Sequence, residues 1–360
     1  MRTTLLLSCT LLVACGSSSE ASAPSDAATD TQVDSGVEEA APADTGPAVP
    51  TERDVQFEAV NPLPSGEQIV FNDWNSTPNT VRSMRPDGTG ETTIFKVFRV
   101  WSMGVSHKGD AIAFSCGDPQ QEKNWGLTFG DSIQHTWMYD VSTQKIALVA
   151  HGNLNDECHT FSSDDKRLYV CRRYDFVEAD GTSSNKGWRI ARIDLATRTP
   201  TFLTPEVKGQ FALGPQPTAD EKEMWYSTIT IAGGTQKLRV VRQPLPDGTP
   251  VDVKADAGKA VLSPDGTKFA YSAANTTEKG ALHVANLDGS ADVVVSKAAG
   301  TNVAWSPDGK KLVYTLFESS GSCDHLDVVA VDGSQADAPT RIRDCLKTKD
   351  FVTKVAWIKR

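Results

Sequence analysis

Two segments of this chain are near copies of one another. Residues 261–271 read Val-Leu-Ser-Pro-Asp-Gly-Thr-Lys-Phe-Ala-Tyr, and residues 304–314 read Ala-Trp-Ser-Pro-Asp-Gly-Lys-Lys-Leu-Val-Tyr. Each is an apolar stretch, a Pro-Asp-Gly turn and a second apolar stretch. Proline fixes φ at the first corner of such a turn, aspartate hydrogen-bonds its own backbone, and glycine takes a positive φ without steric cost. Each copy therefore predicts a β-hairpin.

The hairpin recurs upstream in weaker form. Copies lie at residues 63–71, 105–114, 161–170 and 217–226. An apolar strand that ends in a turn alternates with the hairpins, as at residues 282–289 and 326–333, and it occurs six times. Four strands per unit at a period of about 40 to 55 residues is typical of a propeller blade. We therefore predict an all-β fold, a six-bladed β-propeller with four antiparallel strands per blade, over residues 54–360.

The Ser-Pro-Asp-Gly hairpins at residues 263–266 and 306–309, each followed by a strand that ends in Asp-Gly, resemble the propeller domain of TolB and its relatives. The resemblance covers residues 60–360 and implies the fold without a particular activity. The chain passes from a linker to the first hairpin, so we expect no counterpart of the α/β domain that precedes the propeller in TolB. A related pattern precedes the catalytic domain of prolyl-oligopeptidase-type peptidases, but the sequence contains no Gly-x-Ser-x-Gly motif.

A propeller also needs a strand that closes the ring. Residues 352–358 match the strand at 301–305 through a shared Val-Ala-Trp, but they have no hairpin partner of their own. We expect residues 67–71 to supply that partner, so that the two ends of the propeller pair. The alternative is that residues 55–60 provide the missing strand.

Residues 1–14 predict a lipoprotein signal peptide. Arg2 precedes an apolar run that is too short for a permanent membrane span. The sequence Leu-Val-Ala-Cys-Gly at residues 12–16 resembles the lipobox of bacterial lipoproteins, in which the cysteine is acylated and becomes the mature N-terminus. The resemblance implies that Cys15 is the lipidation site. The alternative is an ordinary signal peptide cleaved nearby.

Residues 15–53 predict a disordered acidic tether. They are rich in Ser, Ala, Pro and Asp and contain no aromatic residue, Leu or Ile, so they cannot bury enough apolar area to fold. The tether holds eight of the 46 acidic residues and one of the 36 basic ones, so most of the net charge of −10 lies in it. The propeller is nearly neutral and offers no basic field for nucleic acid.

These features predict a monomeric, lipid-anchored protein of the bacterial cell envelope that contacts the membrane through its lipid. Gly16, rather than Asp, follows Cys15, which by resemblance to other lipoproteins implies the outer membrane, with periplasmic or surface orientation open. We expect a non-enzymatic binding or scaffolding role towards an envelope protein or peptide, without a cofactor. The alternative is a glycan-binding or lyase-type propeller that uses its central channel.

Two long insertions, at residues 117–135 and 172–187, are predicted to emerge on the same face. Loops longer than about 12 residues are usually functional or disordered. The insertions carry the aromatic and arginine side chains typical of recognition surfaces. The candidate partner-binding residues are Trp125, Phe129, Arg172, Arg173, Tyr174 and Phe176. Alternatively, these side chains fold back onto the rim of the blades.

Five cysteines remain beyond the lipidation site, in a compartment that favours disulfides. Cys158 and Cys171 stand equally far from the turn at residues 164–165 and are predicted to bridge across paired strands. Cys323 and Cys345 are predicted to form a second bridge, which leaves Cys116 unbridged. Pairing of Cys116 with Cys158 or Cys171 is the alternative. No Cys-x-x-Cys is present and the histidines are isolated, so no metal site is predicted.

Overall fold

The computed structural model describes residues 55–360 except 74–77, 118–133, 151–154, 178–182, 208, 233–234, 275–279, 299, 319–322 and 346–350. Over the described residues it contains 25 β-strands and no helix. The predicted signal peptide, Cys15 and the tether lie outside the described residues, and so do Trp125 and Phe129. The side chains of Phe176 and Cys323 are outside them as well.

The strands follow one another along the chain with short connections. The first half contains β1 (Phe57–Ala59), β2 (Glu67–Asp73), β3 (Asn79–Met84), β4 (Thr92–Val97), β5 (Val100–Val105), β6 (Ala111–Gly117), β7 (Gln134–Asp140), β8 (Lys145–Ala150), β9 (Asp156–Phe161), β10 (Arg167–Val177), β11 (Ser183–Asp194) and β12 (Pro200–Phe202). The second half contains β13 (Gln210–Pro217), β14 (Glu223–Ala232), β15 (Thr235–Pro244), β16 (Val251–Ala255), β17 (Ala257–Leu262), β18 (Lys268–Ala273), β19 (Leu282–Asn286), β20 (Val293–Ser296), β21 (Gly300–Trp305), β22 (Lys311–Glu318), β23 (Cys323–Ala330), β24 (Thr340–Arg343) and β25 (Val352–Lys359).

Hydrogen bonding groups the described strands into five sheets. Three of them are four-stranded and antiparallel, formed by β5–β8, β17–β20 and β21–β24. A five-stranded sheet has the order β1-β4-β3-β2-β25. In the eight-stranded sheet, β9–β12 and β13–β16 are joined by a single parallel pair, Trp188 with Phe211. The predicted count of six blades is therefore not confirmed as six separate sheets.

Six strands form the inner wall of a closed ring. β5, β9, β13, β17, β21 and β25 each contact the next one, and β25 contacts β5. At Gly104 the backbones approach so closely that a Cβ would lie 2.3 Å from the carbonyl oxygen of His159. The arrangement is a β-propeller around a central channel, as the sequence predicted.

The ring closes through the two ends of the propeller. β25 pairs antiparallel with β2, with Trp357 opposite Ile69. Gly66 and Arg360 exchange backbone hydrogen bonds of 2.9 and 3.0 Å beyond the end of that pair. The prediction that residues 67–71 pair with the last strand is confirmed. The alternative is wrong, because β1 pairs with β4 at the outer edge of the sheet.

Apolar side chains fill the spaces between neighbouring sheets. Phe95 of the first sheet packs against Tyr139 of β7, with ring centroids 4.7 Å apart. Trp305 and Tyr314 join Val284 in another cluster between β17–β20 and β21–β24. The sheets thus bury their faces against one another, as blades of a propeller do.

Five hairpin turns share one hydrogen-bonding pattern. In each, a Ser or Thr hydroxyl donates to an Asp carboxylate at 2.6–2.8 Å and accepts the backbone N–H of the residue five positions later at 2.9–3.1 Å. The hydroxyl residues are Ser106, Ser162, Thr218, Ser263 and Ser306. This side chain therefore fixes the register between the inner strand of a unit and the strand that follows it.

We expect Ser263→Ala and Ser306→Ala to destabilise the fold. Each substitution leaves a backbone N–H, of Lys268 or Lys311, without its hydroxyl acceptor, which costs about 1–3 kcal/mol. Urea unfolding followed by circular dichroism measures the change. Ser290→Ala is the matched control, because its hydroxyl bonds Asp288 in an exposed turn, and we expect a change within about 0.5 kcal/mol. Equal losses in all three variants would contradict the structural role of the turn hydroxyls.

Candidate functional site

Five of the inner strands carry a two-residue β-bulge near their N-terminal ends. In β9, β13, β17, β21 and β25 the pairing register skips residues 158–159, 214–215, 259–260, 302–303 and 353–354. The bulge begins with a left-handed φ in four of them: 58° at Cys158, 65° at Gly214, 56° at Lys259 and 47° at Asn302. Cys158 and Lys259 have side chains that disfavour this conformation, whereas glycine and asparagine adopt it readily. Bulges re-aim side chains and are frequent beside functional sites.

The bulges lie at the end of the channel opposite the Ser/Thr–Asp turns. Each turn follows the C-terminal end of its inner strand, whereas each bulge lies near the N-terminal end. The predicted loop at 172–187 is wrong over most of its length, because residues 172–177 and 183–187 extend β10 and β11 as a paired hairpin. Most of the predicted loop at 117–135 lies outside the described residues. The connections from β6 to β7 and from β10 to β11 follow the second strand of each unit and so belong to the same end as the bulges. We call it the insertion end of the channel.

Two lysines, Lys259 and Lys354, lie in the bulges at the insertion end. Lys259 is exposed and Lys354 is half-buried. In the described part of the chain, neither ammonium group makes a hydrogen bond or ion pair. The charge of Lys354 acts on Lys259 in β17 and on His159 in β9, although neither strand is its neighbour in the ring. Lys354 therefore reaches into the channel.

Burial and repulsion act together on Lys259. Desolvation, and then the positive charge of Lys354, lower the pKa of the Lys259 ammonium to about 8, against an opposing effect of Asp324. Asp324 is buried, and its carboxylate accepts the backbone N–H of Val352 at 2.8 Å. Lys259 is thus exposed, at a position where the charges of Lys354 and Asp324 both act on it.

Two further titratable groups beside the lysines are held neutral. Burial, and then the charge of Cys158, raise the pKa of Glu157 to about 8, against an opposing effect of Lys354. Burial, and then the charge of Lys354, lower the pKa of His159 to about 3. Both ring nitrogens of His159 have hydroxyl partners, Thr136 Oγ1 at 3.2 Å and Ser102 Oγ at 3.3 Å. His159 is therefore a neutral, fully bonded part of the wall.

Cys158 and Cys171 are free thiols in this structure, so the predicted bridge between them is not present. The reason is the bulge in β9, which places Cys171 opposite Glu157 and leaves Cys158 one position out of register. The thiols remain in hydrogen-bonding contact. That bond, followed by the charge of Lys354, lowers the pKa of Cys158, whereas burial raises the pKa of Cys171.

The predicted pairings of the other three cysteines, Cys116, Cys323 and Cys345, differ in how far the structure describes them. Cys116 is a buried thiol in β6, and neither of its alternative pairings, with Cys158 or with Cys171, is present. Cys345 is half-buried, and its backbone N–H donates to His325 Nδ1 at 3.2 Å. The side chain of Cys323 lies outside the described residues, so its bridge to Cys345 stays a prediction. In the described part of the chain, no three His, Cys, Asp or Glu side chains form a group that could hold a metal ion.

The described candidates for partner binding are used inside the protein. Arg172 is buried and forms a two-bond ion pair with Asp156, at 2.6 and 2.7 Å. Tyr174 is buried and donates its hydroxyl to the carbonyl of Val207 at 2.5 Å. Arg173 is half-buried. Partner binding by these residues stays a prediction.

The sequence also contains a signal for the bulges, which is their fixed distance from the hairpin turns. Cys158, Gly214, Lys259 and Asn302 each lie four positions before the Ser or Thr of the following turn. The Val-Ala-Trp match aligns Lys354 with Asn302. A fixed offset from the turn therefore marks the residues that surround the channel, but their burial and mutual distance depend on ring closure.

Comparison with known proteins supports the fold. TolB from Acinetobacter baumannii is 18% identical with a TM-score of 0.62, over 82% of this chain and 67% of that one. A putative TolB from Agrobacterium tumefaciens is 13% identical with a TM-score of 0.52, over 77% of this chain and 88% of that one. Hydrazine synthase from Kuenenia stuttgartiensis is 8% identical with a TM-score of 0.60, and the match covers 82% of this chain and 47% of that one.

At these identities the likeness establishes the β-propeller fold and carries no activity. No protein-family profile matches the chain. No curated protein matches it in sequence. Within the described residues there is no helix that could cross a bilayer.

We expect Cys158 to react as a thiolate at a lower pH than an ordinary cysteine. Its rate of alkylation by iodoacetamide, followed by peptide mass mapping of the reduced protein, reaches half its maximum below the usual thiol pKa of about 8.5. Cys171→Ala removes the hydrogen bond and Lys354→Met removes the nearby charge, so both move the midpoint to higher pH. Lys259→Met is the control and leaves the midpoint in place. A pH midpoint that is the same in the parent, in Cys171→Ala and in Lys354→Met would refute this description.

Proposed function

We propose that this chain is a non-enzymatic, lipid-anchored binding protein of the bacterial cell envelope. Its propeller holds a partner protein or peptide at the insertion end of the channel. The observation that carries the proposal is the pair of lysines, Lys259 and Lys354, whose ammonium groups form no hydrogen bond or ion pair within the described residues, whereas the nearby Ser102, His159 and Asn302 side chains are hydrogen-bonded.

The wall around the lysines is held by hydrogen bonds between neighbouring units. Asn302 Nδ2 donates to the carbonyl of Val352 at 3.1 Å, and Thr353 Oγ1 donates to the carbonyl of Trp101 at 3.0 Å. Ser102 Oγ accepts the backbone N–H of Cys158 at 2.8 Å. A site whose backbone is fixed in advance loses little conformational entropy when a partner binds. This supports a binding role.

The envelope location rests on the sequence. The apolar run of residues 5–14, the Leu-Val-Ala-Cys-Gly motif and the acidic tether are the parts expected of an exported lipoprotein. Mature lipoproteins carry more than one acyl chain, which suffices for stable anchoring. The tether would then let the propeller reach a partner away from the bilayer, with the outer membrane favoured by Gly16.

We expect Cys15→Ala to release the protein from the membrane. Without the acyl acceptor, the chain loses its lipid and its only anchor under this proposal. Fractionation of envelopes from cells that express each form measures the change: the parent fractionates with membranes and the variant with soluble periplasmic protein. Ser8→Ala, within the signal region, is the control and leaves fractionation unchanged. A variant that stays in the membrane fraction would overturn the role of Cys15.

We expect the channel lysines to be needed for partner capture. The lipidated full chain, cross-linked in envelopes and then solubilised, is compared with a Lys259→Met, Lys354→Met double variant. The matched control is Lys268→Met with Lys310→Met, two exposed lysines beside the turns at the opposite end. The proposal expects a discrete envelope partner that the parent and the control retain and the channel variant loses. Recovery of no partner, or equal recovery by all three forms, would refute it.

A further inference from the structure

We infer that the insertion end of the channel binds carboxylate side chains of an acidic peptide segment, with Lys259 and Lys354 as the ion-pairing groups. This inference rests on the proposed function and names the chemistry of its partner. It follows from two lysines that stand in the bulges of the inner strands β17 and β25, at one end of the ring, and whose ammonium groups form no ion pair with any described residue. The positive charge of Lys354 also acts on Lys259.

Other lysines of the propeller have found carboxylate partners even on open surface. Lys96 contacts Glu58 at 3.1 Å, and Lys297 contacts Asp337 at 2.8 Å. Exposed pairs of this kind contribute little because water screens them. Around the half-buried Lys354 the screening by water is weaker than on an open surface, so a carboxylate supplied there gains more. Lys259 and Lys354, which have no ion pair within the described residues, are therefore the cations that an external anion would stabilise most.

The acidic groups nearby do not neutralise these lysines. The Asp324 carboxylate is buried and bonded to the backbone of Val352. Glu157, with its pKa raised to about 8, is mostly protonated at pH 7. Arg172 and Asp156 pair with each other, and Cys158 lies in contact with Cys171. Neither Lys259 nor Lys354 has an ion pair with any of these groups.

The state of the neutral polar groups favours a peptide over a glycan. Asn72 donates to Thr353 and to the carbonyl of Val100, and its Oδ1 accepts the N–H of Lys354. Asn302 and Ser102 are likewise bonded to the wall. A sugar ring presents many hydroxyls, and each needs a hydrogen-bond partner once it leaves water. With Asn72, Asn302 and Ser102 occupied, the wall offers charge for carboxylates, and Glu157 is left as a neutral group that could bond a hydroxyl.

The test is isothermal titration of the full lipidated chain in detergent micelles with defined probes. The principal probe is a short acetylated and amidated Glu-Ala repeat peptide. Its matched control has Gln in place of Glu. Tri-galacturonic acid represents an acidic glycan, and sodium phosphate represents a free inorganic anion.

We expect the Glu peptide to bind, and the Gln peptide to bind at least about tenfold more weakly, because each lost charge pair is worth on the order of one decade or more. Lys259→Met and Lys354→Met each weaken the Glu peptide about fivefold to tenfold, whereas Lys259→Arg and Lys268→Met do not. Binding also weakens as salt is raised, because ions screen the pairs. Thermal unfolding by circular dichroism checks that each variant is folded.

Several outcomes would overturn the inference. Equal affinity for the Glu and Gln peptides, or unchanged affinity in the Lys259→Met, Lys354→Met double variant, removes the carboxylate pairing. Tighter binding of tri-galacturonic acid or phosphate than of the Glu peptide assigns the site to a glycan or to a free anion. If the Glu peptide fails but the envelope partner is still lost in the double variant, the proposed function survives without this inference. If the Glu peptide binds but no envelope partner is captured, the inference about carboxylate binding survives and the proposed function does not.

Discussion

The two ends of the propeller are held together by backbone hydrogen bonds between β2 and β25, and the remaining architecture depends on that pairing. It places Ile69 opposite Trp357 and removes the exposed sheet edges that an open ring would present at both ends. The indole of Trp357 also donates to Glu67 at 2.7 Å. Only with the ring closed do β5 and β25 touch, and only then is there a channel with a continuous wall.

The same closure explains why strained residues gather at one end of the channel. The Ser/Thr–Asp turns fix where each inner strand ends, so a bulge at a constant distance before the turn appears at the same height in each unit. Cys158, Lys259 and Asn302 adopt left-handed backbone angles there. Their conformations are held by bonds to neighbouring units, such as that from Asn302 to Val352. Strained backbone conformations that the surrounding structure holds in place are typical of functional regions.

The electrostatics of the channel follow from crowding more than from net charge. The propeller is close to neutral. Burial keeps Glu157 and His159 mostly uncharged, and Lys259 and Lys354 form no ion pair within the described part of the chain. An acidic chain can therefore present a local cationic site.

The sequence by itself determined the hairpins, the antiparallel units and the closing strand, because turn chemistry and the Val-Ala-Trp match are local features. It did not determine that β11 and β13 would join two units into one sheet, nor that the bulge would shift Cys158 out of register with Cys171. It also could not pair Arg172 with Asp156 or bring Lys354 near Lys259. Those contacts join separate strands, and their geometry depends on how far each bulge rotates a side chain once the ring has closed. Tertiary structure alone decided them.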